Sequence, residues 1–261
     1  MVMESDKIRV VQEGNLAVVS INNPPVNTLE NAIVRQLEET IAGFESTRLP
    51  KVIILTGQGK NFSVGAELSE IAYVSAASDA EKISGAIKRL LHRIETFKKP
   101  IIAAISGSCV GGGLELALSC HIRIADETAK FGLPEIKLAL MPGAGGTQRL
   151  TRLVGFPKSA EIILTGDFID VQEAYRIGLV NSVTPAGMSV DVAKVMAEKI
   201  GEKSQMAVSS ILEAIRAPAH TDAVKGMEIE THLFGKLFET DDKREGVAAF
   251  QEKRKPQFRD R

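Results

Sequence analysis

The chain has 261 residues, 44% of them hydrophobic and 25% charged, with a formal net charge of −1. This is the composition of a globular chain of one or two domains, and its near-neutral charge argues against a broad nucleic-acid footprint. No apolar run reaches the roughly 20 residues of a membrane span, and MVMESDKIRV has neither the apolar core of a secretion signal nor an Arg/Ser-rich presequence. A cytoplasmic protein with no membrane partner is expected. The two cysteines, Cys109 and Cys120, both stand in apolar surroundings. They read as buried free thiols in a reducing compartment.

In chain order, residues 7–12 and 16–21 predict two strands around the turn Glu13-Gly14-Asn15, and Asn22-Asn23-Pro24-Pro25 ends the second. From Glu30 to Ser46, Ile33, Leu37, Ile41 and Phe44 recur at helical spacing. KVIILT, residues 51–56, is a continuous apolar run and predicts a strand buried on both faces. A loop over 57–63 leads to VGAEL, residues 64–68. Asp79 to Phe97 predicts a helix with Ile83, Ile87, Leu90, Leu91 and Ile94 on one face; Pro100 stops it, and residues 101–105 form the next buried strand. CVGGGLELALSC, residues 109–120, sets three glycines before a helix holding one carboxylate, Glu115, among leucines.

Residues 121–125 predict a further strand, and FGLPEIKLALMPGAGGTQRL, residues 131–150, predicts a loop that carries a second isolated carboxylate, Glu135. Helices are predicted over 146–154, 157–165, 170–177, 189–200, 203–216, 222–238 and 241–254, with a short strand over 179–183. Alternating strands and helices predict an α/β fold. No fixed-period repeat is visible. The change to all-helical sequence divides an α/β core, residues 1–200, from a helical region, 201–261, within one functional unit.

Several chemistries fail on inspection. Neither GxGxxG nor GxxxxGK[ST] occurs, and there is no CxxC. His92, His121, His220 and His232 are scattered without metal-ligand spacing and read as surface or boundary residues. Asn61-Phe62-Ser63-Val64-Gly65 lacks the first glycine of a nucleophile elbow, so Ser63 reads as a hydroxyl satisfied within a turn. Two glycine-containing turns remain, Val64-Gly65-Ala66 and Gly111-Gly112-Gly113. Each offers backbone N–H groups at a helix start, and together they could place two donors on one oxygen. Glu115 and Glu135 could divide acid and base duties if their surroundings push their pKa values apart. Spacing alone does not show that these parts converge.

At these residues the chain resembles the crotonase superfamily, and within it the enoyl-CoA hydratases. The resemblance runs from about residue 7 to the end. It rests on FSVGAEL (62–68), KKPIIAAISGSCVGGGLELALSC (98–120), FGLPEIKLALMPGAGGTQRL (131–150), LTGDFIDVQEAYRIGLVN (164–181) and DDKREGVAAFQEKRKPQF (241–258). It implies a spiral of ββα repeats followed by a helical C-terminal trimerisation region, in trimers that often pair into hexamers. It also implies an acyl-CoA thioester substrate, with CoA as part of the substrate and no separate cofactor or metal. By position, Ala66 and Gly112 match the donors to the thioester oxygen, Glu115 and Glu135 the catalytic pair, and Gly143 a residue that places the reacting water. Val26, Val64, Ala66, Glu67 and Leu68 match positions around the CoA, and Phe250 and Lys253 match residues that reach the CoA of a neighbouring subunit. The acyl pocket is expected between about Ile71 and Ile87.

The expected activity is reversible addition of water to a trans-2-enoyl-CoA, giving a 3-hydroxyacyl-CoA, as in fatty-acid β-oxidation. Related isomerases typically keep only the second carboxylate, whereas this chain has both. Apolar neighbours such as Leu133, Ile136 and Leu114 would keep one carboxyl neutral. Departures are Glu67, where many relatives have Asp, and Val64, where Ala is common. The alternatives are an isomerase or thioester hydrolase of the same superfamily, or a non-enzymatic, RNA-associated protein on this fold.

Overall fold

The computed structural model describes residues 2–4, 7–217 and 222–261, so His220 lies outside the described residues. The largest sheet has seven strands, in the order Val2–Glu4, Ile8–Glu13, Leu16–Ile21, Val52–Gly57, Ile101–Ile105, Ile122–Asp126 and Ser182–Thr184. The first three pair antiparallel and the remaining pairings are parallel.

The apolar run at 51–56 follows from burial on both faces. Ile53 and Leu55 join the core that also holds Ile33, Leu37 and Ile41 of helix Asn31–Gly43. Val52 and Ile54 pack on the other face, with Ala193 and Ala197 of helix Ser189–Gly201. A parallel strand covered on both sides has no solvent face and shows no alternation.

After each central strand the chain makes a second, short pairing before its helix. Thr28–Leu29 pairs with Gly65–Ala66, Ser63 bridges Cys109, and Ser108–Val110 pairs with Lys130–Gly132, which also pairs with Ile169–Asp170. This is the ββα spiral expected from the resemblance. Its central strands begin at Leu16, Val52, Ile101 and Ile122, at unequal intervals, so the repeat has no fixed sequence period.

The short pairings are absent from the sequence reading, since two or three residues carry no periodic signal. The expected loop over 131–150 is corrected in two places. Phe131 and Gly132 lie in a strand, and Pro134–Leu138 is a 3₁₀ helix that starts on the proline and ends at Ala139, in the left-handed region. The helix expected over Asp79 to Phe97 runs Ala77–Glu95. The C-terminal helices Gln205–Arg216, Ala223–Leu237 and Asp241–Gln251 each begin on a side-chain cap, Ser204, Asp222 and Thr240. Both cysteines are buried and free, as read. Among the described residues no helix is long and apolar enough to cross a membrane.

Candidate active site

The site begins where two glycine-bearing turns meet. Gly113, in the first turn of helix Gly112–Ser119, lies against Ser63: a Cβ built on it would fall 2.3 Å from the Ser63 carbonyl oxygen. Gly65, at φ 89°, lies equally close to the start of that helix, and a Cβ there would fall 2.6 Å from the Gly112 nitrogen. Only glycine allows both the positive φ and this approach. The result sets the Ala66 and Gly112 nitrogens side by side, with the Cβ position of Gly112 3.5 Å from the Ala66 nitrogen. Ser63 is consumed structurally: its hydroxyl donates to the Asn27 carbonyl (2.7 Å) and accepts from the Gly65 N–H (3.1 Å).

Ala66 and Gly112 face a cleft of about 420 Å³, with Val64, Glu67, Leu68, Ile71 and Glu135 also on its walls. Glu67 caps the short helix Leu68–Ile71, accepting from the Ser69 N–H and hydroxyl, and these bonds hold its carboxyl below the usual range. Val26 stands behind the cleft, where its carbonyl accepts from the Val64 N–H. Phe250 and Lys253 lie at the C-terminal helix and do not line the cleft within one chain. A larger cavity, about 570 Å³, opens at the far end of helix Gly112–Ser119, beside Leu118, His121 and Ile215, and neither glutamate borders it.

Glu115 sits one turn into helix Gly112–Ser119 and is 3% exposed. Its Oε1 accepts from the Ala144 N–H and from the Gly146 N–H, both at 2.7 Å. Burial pushes its carboxyl up to about 7; the Glu135 charge acts in the same direction, while the two N–H bonds and Arg149 oppose it. Glu135, on the 3₁₀ helix, is also raised by burial, and its Oε2 is buried with no hydrogen-bond partner. Its Oε1 lies 3.4 Å from the Cβ position of Gly111, next to the paired nitrogens.

The two carboxyls therefore have unlike surroundings. Burial raises both, but at Glu115 two N–H donors and Arg149 oppose the rise, whereas Glu135 Oε2 has no donor. Leu114 and Leu133 are buried as expected, but Ile136 is 41% exposed and does not wall in the pair. Gly143 lies on the loop that holds Glu115. Its carbonyl accepts from the Ser84 hydroxyl at 2.7 Å, and a Cβ there would meet nothing within 4 Å.

Sequence reading missed Ala144 and Gly146 as the donors to Glu115. The signal was the glycine density of Gly143-Ala144-Gly145-Gly146, of which only Gly143 carried an expected role. It also placed His121 at the surface or boundary. His121 is a boundary residue, half-buried beside the larger cavity; its Nδ1 accepts from the Ile101 N–H at 2.9 Å, and burial lowers its pKa to about 4.

Two adjacent backbone nitrogens can carry negative charge on one oxygen, and Glu135 borders the same cleft with a buried, unpartnered oxygen; Glu115 does not line the cleft but is coupled electrostatically to Glu135. That is the equipment of an acid–base enzyme working next to a carbonyl. The family described as Enoyl-CoA hydratase/isomerase matches residues 11–261, and the chain belongs to it. A Bacillus subtilis (strain 168) protein named "Probable enoyl-CoA hydratase" is 42% identical, over 94% of this chain and 95% of its own length. The "Short-chain-enoyl-CoA hydratase" of Clostridium acetobutylicum is 38% identical over 97% of each. The crystal structure of an enoyl-CoA hydratase from Bacillus anthracis superposes with a TM-score of 0.94 at 36% identity, covering 98% of this chain and all of that one.

Proposed function

We propose that this chain is an enoyl-CoA hydratase that adds water to a trans-2-enoyl-CoA, with Glu115 as base and Glu135 as acid. The thioester oxygen lies against the Ala66 and Gly112 N–H groups. Water attacks Cβ, and its proton passes to Glu115. The π electrons move onto the thioester oxygen as an enolate, which the two N–H groups stabilise; losing one such donor costs on the order of 100- to 1000-fold. Collapse of the enolate takes the Glu135 proton at Cα, giving the 3-hydroxyacyl-CoA. Proton exchange with solvent resets the pair, and the reverse sequence dehydrates. The reaction is redox-neutral and its charge rests on N–H donors, so it calls for no cofactor or metal beyond the CoA of the substrate itself.

The observation that carries this reading is the pair of N–H bonds on Glu115 Oε1 opposite a Glu135 carboxyl with an unpartnered oxygen. Hydration needs a base for water and an acid for Cα; N–H donors on Glu115 Oε1 assist an anion there, and the unpartnered Glu135 oxygen suits the acid.

Gly143 would help to place the water. Val26, Val64, Ala66, Glu67 and Leu68 would border the CoA, with Phe250 and Lys253 supplied by a neighbouring subunit of a trimer or a hexamer. Exposed apolar side chains on the C-terminal helices, Met227, Phe234 and Phe250 among them, support such an assembly. A cytoplasmic enzyme of fatty-acid β-oxidation follows from the same reading.

The test is the loss of ultraviolet absorbance of crotonyl-CoA. Glu115→Gln and Glu135→Gln should each nearly abolish it, and full activity in either would overturn the two-carboxyl assignment. Product analysis with a 3-enoyl-CoA and release of free thiol identify the isomerase and the thioester hydrolase instead.

A further inference from the structure

Of the two peptide groups that hold Glu115, one is held from outside their loop by Ser84 and the other by the first turn of the helix that follows. The Ala144 N–H, bonded to Glu115 Oε1, belongs to the same peptide plane as the Gly143 carbonyl. That carbonyl accepts from Ser84 Oγ at 2.7 Å. The next carbonyl, of Ala144, accepts from Arg149 Nη1 at 2.9 Å. Arg149 is fixed in turn by Glu95 Oε2, at 3.2 Å from Nε and 2.8 Å from Nη2, in a largely buried pair. The second peptide group, which presents the Gly146 N–H to Glu115, has its Gly145 carbonyl bonded by the Arg149 N–H at 2.9 Å and the Gln148 N–H at 3.1 Å.

Ser84 and Glu95 lie on one helix, Ala77–Glu95. This helix grips the loop at two consecutive carbonyls, once directly and once through Arg149. The Arg149 side chain holds the neighbouring Ala144–Gly145 peptide, whose N–H does not bond Glu115, and acts through its charge; the Ser84 bond polarises the peptide that carries the Ala144 N–H and strengthens that donor. It also stops the peptide from rotating that N–H away from the carboxylate.

We propose that Ser84 and the Glu95–Arg149 pair are positioning residues for Glu115, acting through the Gly143–Gly146 loop to hold its carboxylate ionised and aimed. The inference rests on the reading of Glu115 as base for its kinetic consequence, though not for the titration that tests it. The groups facing Glu115 are Glu135 from the 3₁₀ helix and Arg149 from helix Gly146–Val154, with Glu95 behind Arg149. Arg123 bonds the Ala117 and Cys120 carbonyls at the far end of Glu115's own helix. The buried thiols Cys109 and Cys120 are raised and uncharged. Removing the Ser84 hydroxyl or the Arg149 charge therefore moves the Glu115 titration upward, and nothing else near it compensates.

The experiment is a carboxyl ¹³C NMR titration of glutamate-labelled protein, with the Glu115 signal assigned by its absence in Glu115→Gln. Ser84→Ala and Arg149→Gln should each raise the Glu115 midpoint by roughly half a unit. Ser84→Thr, which keeps the hydroxyl, should restore it. In crotonyl-CoA hydration, Ser84→Ala should lower kcat roughly tenfold, leave KM nearly unchanged, and move the acid limb of the pH profile upward with the NMR midpoint.

An unmoved or lowered midpoint in Ser84→Ala, with native circular dichroism, overturns the proposal. Should that variant not fold, Ser84→Cys carries the same comparison, because its thiol keeps the side chain's shape but is a weak donor to the Gly143 carbonyl. An inactive wild-type protein would refute the hydratase reading alone, and the titration would still decide the positioning role.

Discussion

Gly65 approaches Gly112 so closely that a Cβ on the first would stand 2.6 Å from the nitrogen of the second. This contact joins two turns from different coils of the spiral and sets the spacing of the Ala66 and Gly112 nitrogens. Gly65→Ala meets backbone there, at a φ of 89° that L residues rarely adopt. It should lower kcat/KM for crotonyl-CoA by about 100-fold or more, while far-ultraviolet circular dichroism stays native. An alanine variant with full activity would show that these nitrogens do not bear the developing charge.

The pH profile follows from the two carboxyls. Glu115 must be ionised to act as base, and its carboxyl is raised to about 7. The rate kcat/KM should therefore rise with pH as Glu115 loses its proton. Glu135 must be protonated, and burial raises it too, so loss of its proton opposes the rise and gives a bell-shaped profile. The two midpoints belong to the coupled pair rather than to single residues. An acid limb near pH 4.5, as for an exposed carboxylate, would contradict the burial argument.

Stability and activity should move in opposite directions at Glu115. Its folded-state pKa, about 7, lies above the ordinary value of 4.5, so the folded protein binds the proton more tightly than the unfolded chain. Ionisation costs stability progressively as pH rises from about 4.5 to 7, and the full cost is present above that. Glu115→Gln should thus be more stable than the wild type at pH 8, by on the order of 3 kcal/mol. The difference should vanish near pH 4.5. Urea denaturation of both proteins at the two pH values measures it. Equal stabilities at pH 8 would mean that the N–H bonds and Arg149 fully offset burial.

Asn27 anchors the first turn behind the cleft. It is fully buried with φ 57°, donates from Nδ2 to the Gln58 and Asn61 carbonyls, and accepts from the Asn23 N–H. Asn27→Ala leaves these backbone groups without their side-chain partner and forces alanine into the left-handed region. It should cost about 2–4 kcal/mol of unfolding free energy. The measurement is the urea midpoint, and a change under 1 kcal/mol would show that water replaces the amide.

Local sequence determined the elements whose signal repeats along the chain. The helix holding Ile33, Leu37 and Ile41 and the strands at 52–57 and 101–105 were legible because burial imposes a period, or a continuous run, on side-chain type. The glycine turns and the two isolated glutamates were legible as oddities, and only a likeness to a known family attached roles to them. Tertiary structure alone decided which backbone groups meet them. The Ala144 and Gly146 N–H groups reach Glu115 across about thirty residues, and Ser84 reaches Gly143 across about sixty. A backbone N–H is the same group in every residue but proline, so no residue type records which one will be a donor. Its direction is set by the path of the chain, through pairings two or three residues long, and that path exists only once the spiral has closed.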